Sequence, residues 1–203
     1  MVHNKFHPRS LHTPPFRLVV GITGASGAIL AIRLLEELKS TSVQTHLVLS
    51  TSAHITIRQE TDWQVKDVIS LAHTSYDYHD ISAAIASGSF ATLGMVILPC
   101  SIKTLSSVAN SYTDDLIGRA ANVTLKEGRP LVLVVRESPY HRGHLRLMSE
   151  AANAGAIIFP PVPAFYIRPG SLEDLVNNTV GRILVRLGIE NDLYQEWQGH
   201  PAE

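Results

Sequence analysis

Four short segments carry side chains able to do chemistry, and each adjoins an apolar run or a helical pattern. Gly21-x-x-Gly24-Ala25-Ser26-Gly27 leaves an apolar run and enters a helical pattern. Glycines there permit a tight turn and close backbone approach, and a helix N-terminus offers N–H groups and positive dipole to a phosphate. Pro99-Cys100-Ser101-Ile102-Lys103-Thr104 sets two hydroxyls and an ammonium behind another apolar run. Read structurally, Ser101 is a helix N-cap and Thr104 a first-turn residue. Arg119 and Lys126, seven residues apart, share a helix face with Asn122 nearly between them. The alternative is a solvated face on which Arg119 pairs with Asp115. Arg136-Glu137 closes a wholly apolar run, in a place where an ion pair serves either structure or catalysis. His141 and His144 fall on one helical turn, but a metal normally takes three or four protein ligands and no nearby acid or cysteine joins them. They read as structural.

These segments need a frame that brings them to one edge. Short apolar runs alternate with helical patterns, with no internal repeat or low-complexity linker. Residues 18–22 read as a strand followed by a helix over 28–39, residues 43–49 as a second strand, and a helical stretch begins near Ala53. His73, Tyr76, Tyr78 and His79 fall in a polar region. Residues 95–98 form a third strand ending at Pro99-Cys100, and helical pattern resumes from Lys103 and more clearly over 114–126. A fourth strand at 131–135, a helix at 145–154 and a short fifth strand at 156–159 follow. A proline-rich loop then leads to a last helix over 171–187. There Leu172, Leu175, Val176, Val180, Ile183, Leu184 and Leu187 keep helical spacing, with Ser171 as N-cap and Asp174 three residues on. The strands are continuously apolar, which suits a parallel sheet covered on both faces. The expectation is an open, doubly wound α/β domain whose ligands sit at the carboxyl ends of the strands. That edge would hold residues 24–27, Ser50, residues 100–104 and Arg136-Glu137.

Composition bounds the partners. The 203 residues fit one domain, with 45% hydrophobic content, 17% charged and net charge −1. Near-neutral charge gives no reason to expect nucleic acid or a membrane surface, and no apolar run reaches the length of a bilayer span. A single cysteine, Cys100, excludes an internal disulfide and a cysteine-cluster metal site. Residues 1–16 are basic, acid-free and broken by Pro8, Pro14 and Pro15. They read as a disordered leader before a domain over 17–203. The prolines oppose the amphipathic helix that a mitochondrial presequence needs, and the reading is cytoplasmic.

The glycine loop also resembles the start of short-chain dehydrogenases, with Leu30 where a last glycine should stand. Two absences oppose a nicotinamide nucleotide. Ser50, not an acid, closes the second strand, where a ribose would be clasped. None of the six tyrosines has a lysine four residues later.

In order along the chain, GITGASGA (21–28), THLVLS (45–50), ETD (60–62), SGSF (87–90), GMVILPCSIKTLS (94–106), RAANVTLKEGRPLVLVVRESP (119–139), GHLRLM (143–148), GAIIFPPVPAFY (155–166) and SLEDLVNNTVGRIL (171–184) closely resemble the UbiX flavin prenyltransferase family. The resemblance runs from Arg17 to Trp197. It implies a flavodoxin-like subunit, FMN as cofactor, no metal, and a dodecamer with active sites between subunits. It further implies that Gly24, Ala25, Ser26, Ser50, Ser101, Ile102, Lys103, Thr104 and Arg136 bind FMN, with Ser87-Gly88 along the flavin ring. Arg119, Lys126, Glu137, Tyr166 and Arg182 are implied to hold dimethylallyl phosphate, with Ser26 and Glu60 close to the reacting atoms. The product would be prenylated FMN, a cofactor for a separate UbiD-type decarboxylase.

The side-chain chemistry agrees. Alkylating N5 of reduced FMN with an allylic phosphate leaves charge on the departing phosphate, which cations and hydroxyl donors stabilise. Glu137 suits a general acid toward that phosphate, and Glu60 a proton relay as the second bond closes at C6. Water must be excluded, because it would trap the allylic cation as an alcohol. Two other readings stay open at this point. A flavin-dependent cysteine decarboxylase shares the glycine loop but uses a PASANT-like segment where PCSIKT stands here. A non-catalytic flavin carrier needs no phosphate cluster, so Lys126, Tyr166 and Arg182 speak against it.

Overall fold

Alternate residues of the inner strands point to opposite faces of the sheet, and both faces are apolar. In the computed structural model, which describes residues 16–199, Leu18, Val20 and Ile22 of β1 (Arg17–Ile22) enter one core while Val19 enters the other. The same split runs through β4 (Gly94–Cys100) and β5 (Leu131–Val135). Burial on both sides is why the sequence reads as unbroken apolar runs. One face is covered by α1 (Ala28–Lys39) and α7 (Leu172–Arg186), the other by α4 (Ile102–Ala109), α5 (Leu116–Lys126) and α6 (Arg142–Asn153).

With β2 (Gln44–Leu49), β3 (Thr74–Tyr76) and β6 (Ile157–Ile158), the sheet has six parallel strands in the order β3-β2-β1-β4-β5-β6. The doubly wound, flavodoxin-like expectation holds, with its five strands in place. The sixth, β3, corrects the reading of residues 73–79 as merely polar. It is a three-residue edge strand pairing His46–Val48 with Thr74–Tyr76 through backbone bonds, and it has no apolar run to announce it. The helical stretch from Ala53 divides into α2 (Thr51–Glu60) and α3 (Val65–Ser70). Helix α6 starts three residues before its expected position because His141 caps it, accepting from the Gly143 N–H at 3.0 Å. The leader is outside the described residues up to residue 15. Phe16 packs against the core, and its carbonyl accepts from Gln44.

The chain order reverses between β1 and β4, so the loops leaving these two strands diverge and open a crevice at their carboxyl ends.

Candidate active site

Thr23 ties the two sides of that crevice together. Its hydroxyl donates to the Pro99 carbonyl at 2.7 Å and accepts from the Ser101 N–H at 2.9 Å, and its own N–H also reaches Pro99. The residue is 1% exposed. Sequence reasoning missed it, although a hydroxyl directly before a glycine loop was the available signal. A side chain on Gly24 would collide with Ser52 at the start of α2, so only glycine lets this loop touch that helix.

The N-terminus of α1 departs from expectation. Its first N–H groups are not left for a phosphate, because Glu60 Oε2 accepts from Gly27 at 2.8 Å and from Ala28 at 3.1 Å. Burial pushes the Glu60 carboxyl upward. Hydrogen bonds from the Gly27 N–H, the Ser26 hydroxyl and the Ala28 N–H, with the Arg136 charge, outweigh it and hold the group below its ordinary value. Glu60 is therefore a carboxylate with the Ser26 hydroxyl donating to it. Helix α2 lies across the rim, Ser52 against Gly24 at one end and Glu60 on α1 at the other.

The other helix starts at the rim carry serine caps. Ser50 accepts from Ala53 at 3.2 Å, and Ser101 accepts from Thr104 while its hydroxyl meets that of Thr104 at 3.2 Å. The structural reading of Ser101 and Thr104 thus holds for this chain, and it leaves their hydroxyls at a helix N-terminus. Ile102 is half-buried and Lys103 exposed. Arg136 donates its N–H to Cys100, which seats it beside the same crevice, and the half-buried Glu137 accepts from Ser138 at 3.0 Å. Hydroxyls and backbone N–H groups around a glycine turn form a donor set suited to a phosphate monoester.

Beyond β6, Tyr166, Arg182, Tyr194 and Trp197 line a cavity of about 430 Å³. The Arg182 guanidinium lies 5.9 Å from the centroid of Phe159, and the Tyr166 hydroxyl donates to Gln195 at 3.3 Å.

The remaining predicted residues are not brought to this rim. Arg119 donates to the Ala86 carbonyl at 3.3 Å, next to Ser87. Among the described residues the Asp115 carboxylate forms no ion pair with the Arg119 guanidinium, since it caps α5 through Gly118 and accepts from the Tyr78 hydroxyl. Lys126 pairs with Glu127, and a side chain on Gly88 would collide with both. Arg129 binds the Gly88 and Phe90 carbonyls, while Phe90 lies under Arg17, the first residue of β1. Gly88 and Lys126 thus stand at the amino ends of the strands. A six-residue strand puts the two rims roughly 15–20 Å apart. The rings of His141 and His144 lie 3.6 Å apart between centroids, tilted by 36°, at the start of α6.

A doubly wound parallel sheet with serine-capped helix starts at its switch point defines an α/β protein that binds a phosphorylated nucleotide or flavin. The flavoprotein family profile matches residues 7–183. Flavin prenyltransferase UbiX of Escherichia coli K12 is 59% identical over 186 residues, covering 90% of this chain and 98% of the relative. The crystal structure of AnUbiX (PadA1) in complex with FMN and dimethylallyl pyrophosphate superposes with a TM-score of 0.90 at 47% identity, over 92% of this chain and 99% of that one. A dodecameric FMN-dependent UbiX-like decarboxylase from Escherichia coli O157:H7 gives 0.88 at 46%, over 91% and 100%. This chain belongs to the flavoprotein family, within its UbiX flavin prenyltransferases.

Proposed function

We propose that the chain transfers a dimethylallyl group from dimethylallyl phosphate to N5 and C6 of reduced FMN, making prenylated FMN for a UbiD-type decarboxylase. The observation that carries this reading is the pocket where Arg182 and Tyr166 meet the aromatic side chains of Tyr194 and Trp197. FMN fits the carboxyl-end rim by the donor set of Ser50, Ser101, Thr104 and the glycine turn, with Lys103, Ser26 and Arg136 next to them. When bound and reduced, the flavin supplies a nucleophilic N5 and an electron-rich ring.

The chain's own residues do the rest. Arg182 and Tyr166 bind the departing phosphate, the guanidinium by charge and the phenol by its proton. Glu137 donates a proton to that phosphate as its bond to carbon breaks. Glu60, held ionised, accepts a proton through Ser26. Tyr166 and Trp197 are exposed in a single chain, so they keep water from the allylic carbon only where a neighbouring copy covers them.

Lys126 and Ser87-Gly88, with Arg119 bonded to the adjoining Ala86 carbonyl, join the site from another copy of the chain, because one chain keeps Lys126 and Gly88 at the opposite rim. A dodecamer is the proposed assembly. A free, buried Cys100 suits the reducing cytoplasm, where cell fractionation should find the protein.

Anaerobic incubation with reduced FMN and dimethylallyl phosphate should yield a flavin heavier by one prenyl unit in mass spectrometry. Recovery of unaltered FMN overturns the reading. Arg182→Ala and Lys126→Ala should each be weak alone, and their mixed oligomers should regain part of the activity. A mixture no better than its parents overturns the shared site.

A further inference from the structure

Arg129 has no role in the chemistry above, yet it is the residue most engaged with the 87–92 loop. It is half-buried, two residues before β5, and its guanidinium reaches across to that loop. One nitrogen donates to the Gly88 carbonyl at 2.7 Å; the other donates to the Phe90 carbonyl at 2.9 Å and meets the Thr92 hydroxyl at 3.5 Å. A planar fork spanning two carbonyls fixes both distance and direction between them. Phe90 is further held by the Arg17 guanidinium, 4.4 Å from its ring centroid.

What the fork holds is as informative as the fork. Gly88 lies so close to α5 that a Cβ would fall 2.6 Å from Lys126 Nζ and collide with Glu127. The Gly88 backbone is therefore the wall against which the Lys126 ammonium rests. Ser87, one residue before it, is exposed. A shift of Gly88 moves the flavin-facing serine and the phosphate-facing lysine together.

We infer that Arg129 is a positioning residue for prenyl transfer, which sets Ser87 and Lys126 in one geometry through the Gly88 carbonyl. The inference rests on the reading that these residues complete a neighbouring copy's site. Arg129 touches neither flavin nor donor.

Arg129→Lys keeps the charge but replaces the fork with one ammonium, and Arg129→Gln is the milder-volume second variant. In the full-length oligomer, both should raise KM for dimethylallyl phosphate and the FMN dissociation constant on the order of tenfold, with kcat within about twofold of the parent. Light scattering and the melting temperature should stay near parental values. A structural role alone predicts the reverse: lower melting temperature or lost assembly, with parental KM and FMN affinity in the protein that remains folded. That outcome overturns the inference. Lys126→Ala measured alongside separates the two levels. An unchanged donor KM in Lys126→Ala overturns the site reading and this inference with it. A raised KM there with parental behaviour in both Arg129 variants overturns the positioning role alone.

Discussion

At the carboxyl end of the sheet the functional side chains are held by bonds that close within the chain, whereas at the amino end they are braced from behind and face outward. Thr23, Ser50, Ser101 and Glu60 each bind backbone groups of the loops or helix starts they organise. Ser87 and Lys126 are exposed, and Arg129, Arg17 and His46 support their loop from the interior side. The first arrangement is complete as a fold element. The second leaves side chains at the surface, as the proposed site shared between copies requires.

The largest expected effect belongs to the closed end. Glu137→Gln keeps size and hydrogen bonding but removes the transferable proton, so prenyl transfer should slow by roughly 10²–10⁴-fold while FMN still binds. Turnover within a few-fold of the parent, measured in single-turnover assays, would make Glu137 structural. Next comes a direct contrast of the two ends. Thr23→Val preserves shape but leaves the Ser101 N–H without its acceptor and the Pro99 carbonyl with only the backbone N–H of residue 23, which should cost about 1–3 kcal/mol in denaturant unfolding and weaken FMN binding. Ser87→Ala should change stability by less than about 0.5 kcal/mol. Equal costs for the two variants would erase the contrast.

A last effect is a pH dependence at the amino end. His46 stacks on Tyr76, meets its hydroxyl at 2.8 Å and packs edge-on to Phe90, with Nε2 buried and unpartnered among the described residues. Burial first, then the charges of Arg17 and His73, lowers its pKa from 6.5 to about 4. The folded state therefore prefers the neutral ring, and the unfolded chain takes up the proton first. This contribution to stability is complete above pH 6.5 and is lost as pH falls toward 4. His46→Gln should flatten that part of the urea-midpoint profile, and an unchanged slope would remove His46 as the cause.

Much of the closed end was legible in the sequence because it rests on local signals. A glycine loop after a strand, Ser101 opening α4 and the Ser171/Asp174 capping box of α7 are all short-range, and each stands where the pattern put it. Glu60 on the start of α1 was not legible, since the bond spans 33 residues and the dipole argument alone directed a ligand phosphate there. Edge strand β3 was hidden for another reason, because backbone pairing defines it and its side chains are half-exposed. Arg129 reads as an ordinary cation before a strand until the fold sets the 87–92 loop against it.

Helix α2 touches the glycine loop twice, through Ser52 at Gly24 and through Glu60 at residues 27 and 28. A loop pinned at two points by one stiff rod loses its independent hinge motions. Opening of the loop should then require the rod to lift as a whole, giving the crevice two positions with few intermediate widths. Amide hydrogens of residues 24–28 and 52–60 should then exchange together, at one shared opening rate, and Glu60→Ala should split them into two unlinked sets.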